Sequence, residues 1–126
     1  MAYLLDTNAI LFGLFMPDRI KPSIRALIQD PANRVCASVA SIYEINFKFA
    51  LGKLSLPVDF DITAHLVQAD IELLSITPFH AAAASRLPLI NRDPWDRLIA
   101  AQARNERLTL ISSDKAIQAL GVETLW

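Results

Sequence analysis

A chain of 126 residues with 53% hydrophobic and 20% charged side chains and only 3 glycines can bury one sizeable core, is too short for two, and lacks the polar bias of a disordered segment. The formal net charge of −1 excludes the broad electrostatic attraction by which strongly basic domains hold nucleic acid, so any RNA contact must come from local basic groups or bound metal. The single cysteine, Cys36, excludes an intrachain disulfide and, inside Val35-Cys36-Ala37, reads as a buried structural thiol.

The opening run Tyr3-Leu4-Leu5 meets Asp6 at once and has no basic flank, so neither a signal peptide nor a membrane span is expected and a cytoplasmic location is. Short aliphatic or β-branched runs then alternate with helical patterns, which predicts an α/β fold with a mostly parallel sheet. The predicted strands are Tyr3–Leu5, Arg34–Ala37, Glu72–Ser75, Thr109–Ile111 and Val122–Thr124. Pro22 suits the first turn of a helix ending near Asp30-Pro31. Ser38 caps a predicted helix that runs to Leu51 and stops at Gly52. Further helices are predicted over Ile62–Ala69, from Pro78 through the alanines Ala81–Ala84, and from Asp93-Pro94 onward, where Leu98, Ile99, Ala101 and Gln102 precede Arg104 and Arg107 in the last turns. No repeat or low-complexity tract interrupts residues 1–126, which read as one domain.

Ligands of open α/β sheets bind beyond the carboxyl ends of the strands, which directs attention to acids that follow strands. Asp6 and Asp114 do so, although each taken alone is better explained as a helix-cap or first-turn acid. Glu44 belongs to a stripe with Ser38, Ser41 and Lys48 on one helix. That stripe is either a solvated face carrying an i,i+4 Glu44–Lys48 pair or the wall of a cleft, and the apolar Val39, Ala40, Ile42, Tyr43, Phe47 and Ala50 beside it leave it narrow. Asp93 and Asp96 occupy N-cap and N3 positions where acids are favoured in any protein, yet two carboxylates three apart also project into one region and suit a hard cation. His65 and His80 have neither the spacing nor the neighbours of a zinc site. The isolated Gly13, Gly52 and Gly121 form no phosphate loop. Arg97 reads as a surface charge in preference to a phosphate contact.

In order, Leu4-Leu5-Asp6-Thr7-Asn8, Glu44-Ile45 with Lys48 and Gly52-Lys53-Leu54, Asp93-Pro94-Trp95-Asp96-Arg97-Leu98, and Ser112-Ser113-Asp114 resemble the PIN-domain family, most closely its VapC toxins, over nearly the whole chain. The resemblance implies a three-layer α/β/α sandwich and a ribonuclease in which Asp6, Glu44, Asp96 and Asp114 form an acidic cluster binding Mg²⁺ or Mn²⁺. Asp93, Asn8 and Lys48 are candidate accessory residues, Lys48 either contacting a phosphate or tying down Glu44. Cleavage leaving 5′-phosphate and 3′-hydroxyl ends is implied, with Asp6 and Asp96 as direct ligands and Glu44 and Asp114 completing the cluster or orienting water. So are a cognate VapB-like antitoxin in an apolar groove near Phe47, Phe49 and Leu54, and a homodimer. The chain departs from the subgroup at Asn91, where a histidine often stands, and at Trp95, where phenylalanine is usual.

The physical logic runs the same way, because clustered carboxylates repel one another and a phosphate unless a divalent cation neutralises them. Two rival readings remain: a PIN-like module that binds RNA or protein without cutting, and a receiver-type signalling domain with an acidic Mg²⁺ site. The latter wants paired acids after the first strand and a lysine after the last, which Asp6 and Val122–Thr124 do not supply.

Overall fold

The computed structural model of the protein describes residues 1–126. Five strands, β1 (Ala2–Leu5), β2 (Arg34–Ser38), β3 (Glu72–Leu74), β4 (Thr109–Ile111) and β5 (Thr124–Leu125), form one sheet in the order β3-β2-β1-β4-β5. Every pairing is parallel, with Leu4 of β1 between Cys36 of β2 and Leu110 of β4. Side chains alternate across a strand, so Leu4, Cys36 and Leu110 enter one core cluster while Tyr3, Leu5, Val35, Ala37 and Ile111 enter the other. Burial on both faces explains why these strands read as continuous apolar runs.

Helices α1 (Thr7–Phe15), α2 (Pro22–Gln29) and α4 (Ile62–Gln68) cover the second face through Ala9, Ile10, Ile24, Ile62 and Leu66. Helices α5 (Pro78–Ser85), α6 (Pro94–Asn105) and α7 (Lys115–Gln118) cover the first through Ala84, Ile99, Ala100, Ala103 and Ile117. Helix α3 (Val39–Ala50) serves both, sending Ala40 to one cluster and Ile45 to the other. The result is the three-layer α/β/α sandwich, with a sheet that is wholly parallel.

Caps set the helix limits much as the sequence predicts. The Ser38 hydroxyl accepts from the Ala40 amide at 3.0 Å, and α3 ends where Gly52 takes φ +74°, a conformation that costs a glycine nothing. Two boundaries differ by more than one residue. Arg107 lies beyond the end of α6, at φ 56°. The last strand is displaced to Thr124–Leu125, because Val122 is drawn into the core cluster and the register with β4 begins at Thr124↔Leu110. No helix is long and apolar enough to cross a membrane.

Candidate active site

From β1 the chain winds outward through β2 and β3, then returns to lay β4 on the other side of β1. This reversal opens a crevice at the carboxyl ends of β1 and β4, the place where doubly wound sheets hold ligands. Asp6 follows β1 directly, and its amide donates to the Ile111 carbonyl at the end of β4, 3.1 Å away, which pins the two strand ends together. Asp114 stands just past β4. Glu44 enters from α3 and Asp96 from the first turn of α6.

Three of the acids also cap helices. Asp6 Oδ1 accepts from Ala9 N at 2.6 Å, Asp93 Oδ1 from Trp95 N and Asp96 N at 2.9 and 3.1 Å, and Asp114 Oδ1 from Ala116 N at 2.8 Å. The capping and site readings of the sequence are therefore compatible, since each cap bond uses a single carboxylate oxygen. Asp93 is exposed, whereas Asp6 is only 3% exposed. Asn8, the candidate next to Asp6, points to solvent.

The stripe on α3 is not a solvated face. Ser38 and Ser41 are fully buried and Glu44 is 5% exposed. The Thr7 hydroxyl donates to Glu44 Oε1 at 2.6 Å and lies 2.9 Å from the Ser41 hydroxyl, closing the stripe against the start of α1. Lys48, half-exposed one turn on, donates to Glu44 Oε2. Of the two roles open to Lys48 in the sequence, this contact realises the tie to glutamate. Thr7 is the contributor that reasoning from acids alone overlooks; its signal was its place between Asp6 and Asn8.

Electrostatics tie the acids into one group. Burial pushes the Asp6 carboxyl above its ordinary range; the Ser112 hydroxyl and the Ala9 amide oppose this, and the charges of Asp114 and Glu44 add to it. Asp96 is pushed up to about 6, again chiefly by burial, with Asn91 opposing and Asp93, Asp114 and Glu44 raising it further. The Asn91 amide donates to Asp96 Oδ2 at 3.1 Å and to the Ala116 carbonyl at 3.0 Å, so it links α6 to α7 beneath two of the acids. No three carboxylates converge tightly enough to form a ready-made ligand shell. The donor set nevertheless fits a hard divalent cation: it is entirely carboxylate oxygen, and Asp6 is buried among like charges.

Arg97 is not the surface charge that the sequence suggests. It is 9% exposed, and its guanidinium donates to the carbonyls of Ala84, Leu87, Pro88 and Asn91 at 2.6–2.8 Å, holding the turn that leads into α6. A planar cation with five donors is suited to gathering carbonyls that no helix or strand satisfies. His80 is also structural, completing a capping box with Thr77 and contacting Glu106 at 2.8 Å.

Phe47, Phe49 and Leu54 do not share a wall. Residues two positions apart on a helix point about 200° apart. Phe47 accordingly joins Tyr43 and Trp95 beside the acids, Phe49 faces elsewhere, and Leu54 packs on the core cluster of the α1 face. A cavity of about 560 Å³ lies on that same face between α1, α2 and α4. Ile10, Leu14, Ile28 and Leu66 line it together with Arg25, whose Nε is buried without a hydrogen-bond partner.

Comparison with known proteins places this architecture. The family model of the PIN domain matches residues 3–123. No curated protein matches the sequence. Among solved structures, VapBC2 from Rickettsia felis, bound to a DNA fragment from its promoter, is 17% identical, covers 99% of this chain and 98% of its own, and superposes with a TM-score of 0.73. VapBC-1 from nontypeable Haemophilus influenzae is 23% identical over 99% and 97%, with a TM-score of 0.71. VapBC-5 from Mycobacterium tuberculosis, a member of the VapBC family of toxin–antitoxin systems, is 24% identical over 98% and 97%, at 0.61. At these identities the likeness establishes the fold.

Proposed function

The chain belongs to the PIN-domain family, and from that premise we propose that it is a divalent-metal-dependent endoribonuclease, a VapC-type toxin held in check by a cognate antitoxin. The observation that carries the reading is the gathering of Asp6, Glu44, Asp96 and Asp114 at the crevice of β1 and β4, where Asp6 and Asp96 are each pushed up by burial and by their acidic neighbours. Such a cluster is unfavourable by itself and useful only to a cation.

Asp6 and Asp96 would hold Mg²⁺ or Mn²⁺ directly, with Glu44 and Asp114 completing the set. When bound, the ion offsets the repulsion between these carboxylates and a phosphodiester and acts as a Lewis acid on it. The chain's own residues fix the geometry. Thr7 and Lys48 hold the two oxygens of Glu44, Asn91 orients Asp96, and the Ala9 and Ala116 amides orient Asp6 and Asp114.

The antitoxin reading is supported by the toxin–antitoxin assemblies among the similar structures. The α1/α2/α4 cavity suits an apolar antitoxin segment better than the divided Phe47, Phe49 and Leu54 surface, and an acceptor on that segment would satisfy Arg25.

The test is cleavage of a labelled single-stranded RNA panel by purified protein in Mg²⁺ or Mn²⁺, against EDTA and the Asp6→Asn variant. Metal-dependent cutting that the variant loses is the expected result. Folded, partner-free protein that cuts nothing in either metal would instead favour a PIN module that binds without cleaving.

A further inference from the structure

Three aromatic side chains meet at the mouth of the acidic crevice. Tyr43 and Phe47, one turn apart on α3, stack with ring centroids 5.6 Å apart and planes 20° apart. Trp95 at the start of α6 lies 6.1 Å from each. Tyr43 is 60% exposed and Phe47 38%, and Trp95 is half-buried. Core packing accounts for none of this exposure, and a contiguous exposed aromatic surface marks a place of contact.

Two adjacencies narrow what that contact is. Tyr43 immediately precedes Glu44 in α3 and Trp95 immediately precedes Asp96 in α6, so the platform and the acids are carried by the same two helices and share an edge. Lys48 stands on that edge, bonded to Glu44 with its ammonium 6.0 Å from the centre of the Trp95 ring. A surface of flat rings, continuous with a phosphodiester site and with one cation at the boundary, matches a nucleotide: base on the rings, phosphate toward the cation and the acids. A paired base hides its faces in the duplex, so the occupant is single-stranded.

Resting on the nuclease reading above, we propose that Tyr43, Phe47 and Trp95 form a stacking subsite for an unpaired base of the RNA next to the scissile phosphate, and that Lys48 bridges this subsite to the acidic cluster. The subsite positions the strand without reading its sequence through hydrogen bonds, because every base has a π-face.

The chain has two tryptophans, so a Trp126→Phe background leaves Trp95 as the reporter. A short single-stranded oligoadenylate is titrated in Ca²⁺, an oxygen-seeking ion in place of Mg²⁺, while cleavage in Mg²⁺ is assayed separately. Expected are quenching of Trp95 on binding and, by fluorescence anisotropy of a dye-labelled oligoadenylate, affinity roughly tenfold or more weaker in Tyr43→Ala and Trp95→Ala and largely kept in Trp95→Phe. Inorganic phosphate is expected to leave the fluorescence unchanged. Cutting in Mg²⁺ with no quenching, and with unchanged KM in Tyr43→Ala, would overturn the stacking subsite while the nuclease reading stands. Quenching without cutting supports the subsite and removes the nuclease. Neither quenching nor cutting overturns both. Quenching that follows protein concentration in the absence of RNA overturns the proposal by making this face a contact between copies of the chain.

Discussion

Thr7 donates a 2.6 Å hydrogen bond to Oε1 of Glu44 across 37 residues of sequence, and both side chains are buried. This bond fastens the first turn of α1 to the middle of α3, and so sets the spacing between Asp6, one residue before Thr7, and Glu44.

Replacing Thr7 with valine keeps the shape and removes the donor. A hydrogen bond to a charged group contributes about 1.5–3 kcal/mol, so Thr7→Val is expected to lower stability by about that much in urea unfolding, and Thr7→Ser by little. A Thr7→Val protein as stable as wild type would mean that Lys48 alone holds the glutamate.

Asp6→Asn is expected to raise the melting temperature in EDTA. The asparagine oxygen can still cap α1, while the cost of burying a charge beside Asp114 and Glu44 disappears. Saturating Mg²⁺ is expected to stabilise wild type and not the variant, by mass action on the folded state. Equal Mg²⁺ shifts in both proteins would remove Asp6 from the ligand set.

Arg97→Met should leave the Leu87, Pro88 and Asn91 carbonyls without donors and cost roughly 3 kcal/mol or more, with faster amide exchange through residues 84–91. Were Arg97 a phosphate contact instead, the variant would fold normally and show a weaker salt dependence of RNA binding.

Burial pushes the Cys36 thiol from 9.0 to about 12, the hydrogen bond to Glu72 and the charges of Glu72 and Glu106 raising it further and Arg34 opposing. Its value in the folded chain exceeds that in the unfolded chain, so the contribution to stability is complete below the unfolded thiol's range and is lost as pH rises through about 9 to 12. Between those limits the loss should approach about 1.4 kcal/mol per pH unit. Cys36→Ala should flatten that slope between pH 9 and 11, and native Cys36 should resist iodoacetamide until the protein unfolds. Rapid alkylation of folded protein at pH 8 would contradict this account.

Much of this was legible before any coordinates. Capping signals at Ser38, Pro22, Pro78 and Asp93 act over a few residues, so sequence carries them directly, and the two-sided burial of the sheet is visible in its apolar strands. Contacts between distant segments were hidden. Nothing near Arg97 announces that the carbonyls of Leu87, Pro88 and Asn91 need its donors, and the Glu44 stripe reads as solvated until Thr7 is seen against it. Phe47 and Phe49 look like one apolar patch in a linear string, whereas the helical turn sends them apart.

β1, which begins at Ala2, pairs with β4 at Thr109–Ile111, and this pairing brings Asp6 to Asp114. A ribosome must therefore have synthesised the chain past Asp114 before the crevice can close. Contacts of such sequence separation also slow folding, because the long loop between them must close before they contribute. If the protein cuts RNA as proposed, a nascent chain is harmless to the ribosome and message that produce it, and a prematurely terminated one never becomes toxic. On the proposed reading, the winding order of the sheet ties the onset of cleavage to translation past β4.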